Sequence, residues 1–442
     1  MELTLLSYIS IVILIAMYVF LISEKVNKVI VVGIASSVLM LGHVFRSDGN
    51  TPQEVALGFI SKNLDVLGFI IGMMVLVGII KESGLFEAIA IWIVKMVKGN
   101  PTVLLIAIGY LTLIMTAFLS NIPTVLIIVP VLLVLIDELK LPALPYFFTV
   151  IVMANIGGAI TPISDPTTYY QSKTVGLGFM EVVSNSGLIV LVLSVVSLVY
   201  IYFVFRKILS STKVNASDVA LYNPRKAIKD KKILYLGTPI LLTVILLMIL
   251  KDTIAQKFSI HFDNASLTIT GALIAVLLFN KSPKDILQKV IDWEIIFFFS
   301  GLFIVVGALE YNGVVVALAG YLLQLVDTLH IPLQFLITFG SGILSTFIDN
   351  VPYNIAMVGV LQEMQKVGVF VYPLWWALNL GTSFGGAGSP IGAACNVLAF
   401  GQAEKEGLHF NFGKYLLLAM PLVLLNATIT FIILWIRFSG KP

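Results

Sequence analysis

Long apolar runs broken by short polar stretches dominate the chain. Runs near 3–22, 28–45, 63–80, 143–172, 179–205, 233–250, 265–280, 291–310, 372–400 and 415–437 each read as a membrane span, because about 20 apolar residues cross the hydrocarbon core as a helix. They do not alternate as the strands of a barrel would. The segments 101–138 and 331–364 are apolar at both ends and polar in the middle, which predicts hairpins that enter and leave on one side. Residues 84–98 and their counterpart near 313–328 are short; the first carries Glu87, Lys95 and Lys98, and both read as interfacial helices. The first run has no basic residue ahead of it and no small-residue cleavage pattern after it, so it reads as a retained span rather than a signal peptide. The fold class is therefore an all-α polytopic membrane protein with about ten transmembrane helices, two re-entrant hairpins and two interfacial helices.

The pattern occurs twice. Gly72, Gly78, Gly84, Asn121 and Pro123 recur 229 positions later as Gly301, Gly307, Gly313, Asn350 and Pro352, and GGAITPIS from Gly157 returns as GGAGSPIG from Gly385. Matched order over some 90 residues marks a tandem duplication. Five crossings separate equivalent points, an odd number, so the copies are inverted. The organisation read from this is 1–58 as N-terminal scaffold spans and 59–208 as repeat 1, with hairpin 101–138 and broken helix 143–172. A linker, 209–232, leads to repeat 2 at 233–442, with hairpin 331–364 and broken helix 372–400.

Composition adds that lipid is the solvent: 59% of the 442 residues are hydrophobic and 12% charged, far from a soluble domain. Charge then orients the chain. On this topology 19 of the 27 lysines and arginines fall on one face, eight of them between Arg206 and Lys232, so the basic linker 206–232 is expected to be cytoplasmic. Integral, multi-pass placement in the cell's inner or plasma membrane follows. The net charge of +3 suggests no nucleic-acid partner. One cysteine, Cys395, excludes an internal disulfide, and the four histidines lack metal-ligand spacing; no organic cofactor and no enzyme active site are indicated.

The chemistry concentrates where the helices break. Each hairpin has a polar centre with proline: Ser120, Asn121 and Thr124 around Pro123, and Asp349, Asn350 and Asn354 around Pro352. Proline disfavours helix in the residue before it, and opened backbone in a membrane is tolerated only against protein or water. The partner segments break likewise. Residues 154–166 offer Asn155, Gly157, Gly158, Thr161, Ser164 and Asp165; residues 381–396 offer Thr382, Ser383, Gly385, Gly386, Gly388, Ser389 and Asn396. Gly/Pro-interrupted segments at matching places of two repeats point to a transporter site, with half-helix N-termini toward an anion and carbonyls toward a cation. Close helix packing by small residues is the competing reading. Asp165 and Asp349 are costly so deep in the membrane and read as ligands of sodium or carriers of a coupling proton; an N-cap or turn role is the alternative for Asp165.

At these residues the chain resembles the arsenite permease and NhaD-type sodium/proton antiporter family of the ion transporter superfamily, and most closely the branch that includes the melanosomal P protein. The matching blocks are SNIPTVLIIVPVL from Ser120, ANIGGAITPISDPTTYY from Ala154, STFIDNVPYNIAMV from Ser345 and the long stretch from Trp375. The resemblance implies an elevator-type carrier, commonly homodimeric, with Ser120, Asn121 and the Gly157 region as one half-site and Asn350 with the Gly385 region as the other. Sodium is the candidate ion at Ser120, Asn121, Gly157, Asp349 and Asn350. Dicarboxylate carriers of the superfamily have Ser-Asn-Thr at both tips. Here the tips read Ser-Asn-Ile and Asp-Asn-Val, which favours proton coupling or a single cation site.

The leading expectation is a secondary carrier of a small inorganic anion or oxyanion, arsenite-like, driven by a proton or sodium gradient. Sodium/proton exchange comes second, and a carrier of organic anions such as dicarboxylates or citrate third.

Overall fold

The computed structural model describes residues 3–438 apart from 24–25, 46–48, 50, 98–99 and 213–223; the middle of the basic linker and Lys98 of the first expected interfacial helix thus lie outside the described residues. Among the described residues all regular structure is helical. The first half comprises α1 (Leu5–Ser23), α2 (Lys28–Leu41), α3 (Pro52–Ser61), α4 (Leu64–Lys81), α5 (Leu85–Met96), α6 (Pro101–Leu119), α7 (Asn121–Glu138), α8 (Ala143–Gly157), α9 (Pro166–Val175) and α10 (Phe179–Ser211). The second comprises α11 (Thr238–Phe258), α12 (Asn264–Leu278), α13 (Trp293–Tyr311), α14 (Val314–Leu329), α15 (Leu333–Phe347), α16 (Asn350–Lys366), α17 (Tyr372–Gly386), α18 (Ala394–Lys405) and α19 (Phe412–Phe438).

The duplication is visible element by element. α4 and α13, α5 and α14, α7 and α16, and α8 and α17 begin 229 positions apart. The repeated glycines have the same job in both copies. A Cβ on Gly72 would sit 2.5 Å from Thr268 Oγ1 of α12, and one on Gly301 2.8 Å from Val32 Cγ1 of α2. Each repeat thus presses its first long helix against the helix that precedes its partner's, and α2–α13 and α12–α4 are matching interfaces. Gly84 and Gly313 have φ of 76° and 72° and turn the chain into α5 and α14, a conformation that costs glycine little.

Among the described residues seven helices are long and apolar enough to cross a membrane, or eight if the bent pair α14–α15 is one span: α4, α6, α7, α10, the helix that begins at Ile233 and leads into α11, α13 and α19. α6 and α7 are the two arms of the first hairpin, with 19 and 18 residues, about 28 Å of helix each at 1.5 Å per residue. The re-entrant reading leaves out that each arm is of full spanning length. The tip nonetheless meets the break between α8 and α9, where Thr161 Oγ1 donates to the Ala117 carbonyl at 2.6 Å. The second hairpin, α15–α16, has shorter arms of 15 and 17 residues, and α14 turns into it through 115°.

Two groups of helices result. The hairpins, broken helices, α10 and α19 pack on one another. α1–α4 and α11–α13 form the other group, and the short α5 and α14 touch the hairpins from its side. Polar loops gather at one face: Lys229 N donates to the Ser83 carbonyl at 2.9 Å, Lys281 pairs with Glu82, and Asn27 Nδ2 donates to Glu294 at 3.2 Å. That face holds the described part of the basic linker. Lys173 pairs with Asp65 at 2.9 Å on the other.

Candidate substrate and ion site

Four helices start at one place because four breaks meet there. α7 starts after Ser120, α9 after Asp165, α16 after Asp349 and α18 after Ala393. The first residues of all four line one small cavity of about 20 Å³, together with Lys28, Ile295, Phe298 and Phe299. Helix N-termini carry unpaired N–H groups and a partial positive charge, so their convergence makes an electropositive centre inside an apolar shell. Two of the four starts carry a carboxylate of their own. Asp165 Oδ1 accepts from Thr167 N at 2.8 Å and Thr167 Oγ1 at 2.6 Å, and its other oxygen accepts from Asn121 Nδ2 of the first tip. Asp349 Oδ1 accepts from Val351 N at 3.0 Å. Ser120 and Ala393 give their helices no side-chain cap.

The two carboxylates differ in access. Asp165 is buried, with both oxygens occupied by donors of its own repeat. Asp349 is half-buried and also lines a larger vestibule of about 370 Å³, whose rim includes Asn27, Asp292 and Glu294 on the linker face. A second vestibule of about 510 Å³ opens on the opposite face, lined by Asp65, Pro162, Tyr169, Lys173 and Asp263 among others, and neither aspartate of the small cavity is part of its wall. There Tyr169 stacks on Phe69 with centroids 4.0 Å apart. Of these two vestibules, the one on the linker face shares Lys28, Ile122 and Asp349 with the small cavity.

The remaining sequence-predicted residues divide. Asn121, Asp165, Asp349 and Asn350 come together at the small cavity; Ser120 begins the strand of contacts at the first tip, with φ 74° and ψ 160°. Thr124 donates back to the Ser120 carbonyl at 2.7 Å. Others bond within their own segment or to a neighbouring helix. Ser164 Oγ donates to Gly158 O and Thr161 O, each at 2.6 Å; Ser389 Oγ donates to Thr346 O; Thr382 Oγ1 donates to Leu378 O at 2.9 Å. Asn155 Nδ2 donates to Asn396 Oδ1 at 2.7 Å, joining the two broken helices, and Asn396 Nδ2 donates to Gly386 O at 2.7 Å. Asn354 Nδ2 reaches Gln171 Oε1 at 3.2 Å. Asn155 and Asn354 keep buried carbonyl oxygens without a partner, leaving each a free acceptor. Ser383 is buried on α17. Gly157 packs on Thr116 of α6, Gly158 on Asp165, Gly385 on Gly342 of α15, and Gly388 on Thr346. These glycines thus allow close helix packing, the competing reading for small residues.

Sequence reasoning missed Lys28, Thr167, Thr168, Gln171 and Asn379. Thr168 Oγ1 donates to Asn379 Oδ1 at 2.7 Å across the repeats, a pairing that no local pattern announces. Lys28 counts in sequence as one of the basic residues at a membrane edge. In the fold it is the basic group of the cavity and interacts electrostatically with Asp349, whose own segment supplies no positive partner.

Comparison with known proteins bears on the family. The chain matches the citrate transporter family, CitMHS, over residues 18–381. It belongs to that family. It is 29% identical over 439 residues to an uncharacterized transporter of Mycobacterium tuberculosis, covering 98% of this chain and 99% of the relative. It is 24% identical to the P protein of Mus musculus, over 83% of this chain and 53% of that protein. The likeness to the P protein read from the motif blocks is thus present, and the family shown is that of the citrate transporter. The YdaH transporter of Alcanivorax borkumensis, solved by crystallography and described as having an unusual topology, matches with a TM-score of 0.60 over 99% of both chains at 13% identity; that likeness concerns the fold. The protein is a polytopic membrane transporter and not an enzyme.

Proposed function

We propose that this citrate-transporter-family protein is an ion-coupled secondary carrier of a small anion, with a carboxylate of the citrate class as first candidate. The observation that carries the reading is the convergence of four helix N-termini and two aspartates on one cavity that continues into a vestibule open to the linker face. N-termini without side-chain caps at Ser120 and Ala393 suit an anionic group, while Asp349 suits a cation or proton that travels with it. The family name moves an organic anion ahead of the arsenite-like oxyanion that the uncharged site centres suggest. Transport proceeds by an elevator motion in which the hairpins and broken helices shift as a unit against α1–α4 and α11–α13. The basic linker is cytoplasmic, so the geometry described is inward-facing, and the working form is a homodimer.

Sodium/proton exchange is the second reading. Two carboxylates beside one small cavity, with no basic residue contributed by the moving helices, favour it.

Thermal unfolding of the detergent-purified protein separates these. Citrate, succinate, arsenite and chloride are compared in sodium and in choline at equal ionic strength and two pH values. A ligand at a hundred times its dissociation constant stabilises by roughly 2.7 kcal/mol. A midpoint raised by citrate or succinate, more in sodium or at one pH, is the expected result. Stabilisation by sodium alone, with no anion effect, overturns the anion reading in favour of exchange. A response to arsenite only moves the substrate class to oxyanions.

A further inference from the structure

The inverted repeats should treat both faces of the membrane alike, and at Lys28 they do not. α2 and α12 are matching helices with matching first residues: α2 follows the cap Asn27 and opens with Lys28, whereas α12 follows the cap Asp263 and opens with Asn264. The tips are unequal too, with Asp349 in one and Ser120 in the other. The one lysine and the one tip carboxylate fall on the same cavity. Lys28 lines both the small cavity and the vestibule that reaches Asp349, and its Nζ stands 5.2 Å from the centre of the Phe298 ring. None of the ion pairs within 4 Å among the described residues uses it. The charged groups around it are Asp349, Asp165, Asp292 and Glu294, with the Tyr18 hydroxyl also on the vestibule wall. Asp292 is engaged in capping α13 through Glu294 N and Ile295 N, and Glu294 accepts from Asn27. Among the described residues Asp349 accepts one backbone hydrogen bond, which leaves it a carboxylate with capacity for a cation.

The two groups sit on different bodies. Lys28 belongs to α2, which is pressed against α13 through the close approach at Gly301; Asp349 belongs to a hairpin tip. A motion of the hairpins toward the far face takes Asp349 away from Lys28 and toward α12, where the uncharged Asn264 holds the matching place; the lysines of that vestibule are Lys173, paired with Asp65, and Lys251 of α11.

We infer that Lys28 is a fixed surrogate cation of the scaffold, which competes with the coupling cation for Asp349 when the site faces the linker side and so lowers cation affinity on that face only. This rests on the carrier reading above. A positive group lining the same partly hydrated cavity as a cation site weakens binding by an amount on the order of tenfold, and because Lys28 stays with the scaffold its penalty does not follow Asp349 to the opposite face.

The test is sided sodium dependence of citrate-driven transport in sealed right-side-out and inside-out vesicles, for the wild type, Lys28→Met, Lys28→Gln and Lys28→Arg. Methionine keeps the apolar stem of the side chain, and glutamine is the second variant should methionine not fold. The expected result is a sodium half-saturation about tenfold lower on the linker face for Lys28→Met, unchanged on the other face, and near wild type for Lys28→Arg. If the proton is the coupling ion, the pH midpoint on the linker face moves up by about one unit instead. A raised half-saturation for citrate with sodium and pH dependence unchanged overturns the inference and makes Lys28 an anion ligand. Equal changes on both faces, or none, overturn it as well. Asp349→Asn runs in parallel: normal coupled transport by that variant removes the carboxylate from the mechanism, and with it both the carrier reading of Asp349 and the role of Lys28, whereas loss of coupling in Asp349→Asn with an unaltered Lys28→Met rejects the surrogate alone.

Discussion

Asp165 and Asp349 stand at the starts of two helices that meet at one cavity, yet their surroundings differ because they occupy non-equivalent places in their repeats. Asp165 caps the second half of a broken helix, and its counterpart region in repeat 2 offers Ala393. Asp349 caps the returning arm of a hairpin, and its counterpart in repeat 1 is Ser120. Asp165 is closed in by Asn121 and Thr167 and joins the tip of one element to the break of another. Asp349 keeps an open side toward the vestibule and Lys28. Duplication supplied two similar frames; one carboxylate in each frame, at different stations, gives the fold one enclosed carboxylate and one that faces the vestibule.

The comparison breaks most sharply at the carboxylates themselves. Asp349→Asn is expected to abolish ion-coupled uptake in proteoliposomes while leaving the unfolding midpoint in detergent nearly unchanged, since the amide oxygen still caps Val351 N. Asp165→Ala is expected to do the reverse first: three donors lose their acceptor, destabilising the fold by about 2 kcal/mol or more, read as a lowered unfolding midpoint. Equal effects of both substitutions on stability would erase the distinction between the two carboxylates.

Packing of the broken helices sharpens it next. A Cβ on Gly385 would fall 2.5 Å from the Gly342 carbonyl, a backbone atom, whereas one on Gly157 would meet Thr116 Cβ at 3.1 Å. Gly385→Ala should therefore cost about 1–3 kcal/mol and Gly157→Ala clearly less, as compared by thermal unfolding of the two variants. The tips follow. Ser120 has φ 74° and ψ 160°, a region strained for any residue but glycine, so Ser120→Gly should stabilise by about 1 kcal/mol. The same exchange at Asp349, whose φ is −47°, should destabilise through loss of the cap; opposite signs in the two midpoints are the outcome to look for. Smallest is the Lys173–Asp65 pair at the far face, partly exposed on both sides. Lys173→Met is expected to change stability by less than about 1 kcal/mol. Its measurable effect is increased reactivity of a cysteine introduced at Pro162 toward an impermeant thiol reagent, and unchanged reactivity would show that the pair does not hold that vestibule shut.

Much of this was legible in the linear chain for reasons that are local. Apolar runs of spanning length, glycine and proline at fixed offsets, and an odd number of crossings between equivalent points are properties of consecutive residues in a solvent that punishes unpaired backbone. So the helical membrane fold, the duplication and the places where helices break follow from the sequence, and Asn121, Asp165, Asp349 and Asn350 could be singled out from breaks alone. What the pattern could not decide is which small or polar residue faces ligand and which faces a neighbour. Gly157, Gly385, Thr161 and Ser389 stand among the candidate ligands in a list of motifs, and in the fold each also meets a hairpin helix some 40 residues away. Lys28 is the converse case. It reads as an edge lysine, and only the packing of α2 on the opposite repeat, 273 positions from Gly301, brings it to Asp349. Whether a polar group binds, joins or balances charge depends on what the fold sets beside it, and that contact is a property of tertiary structure.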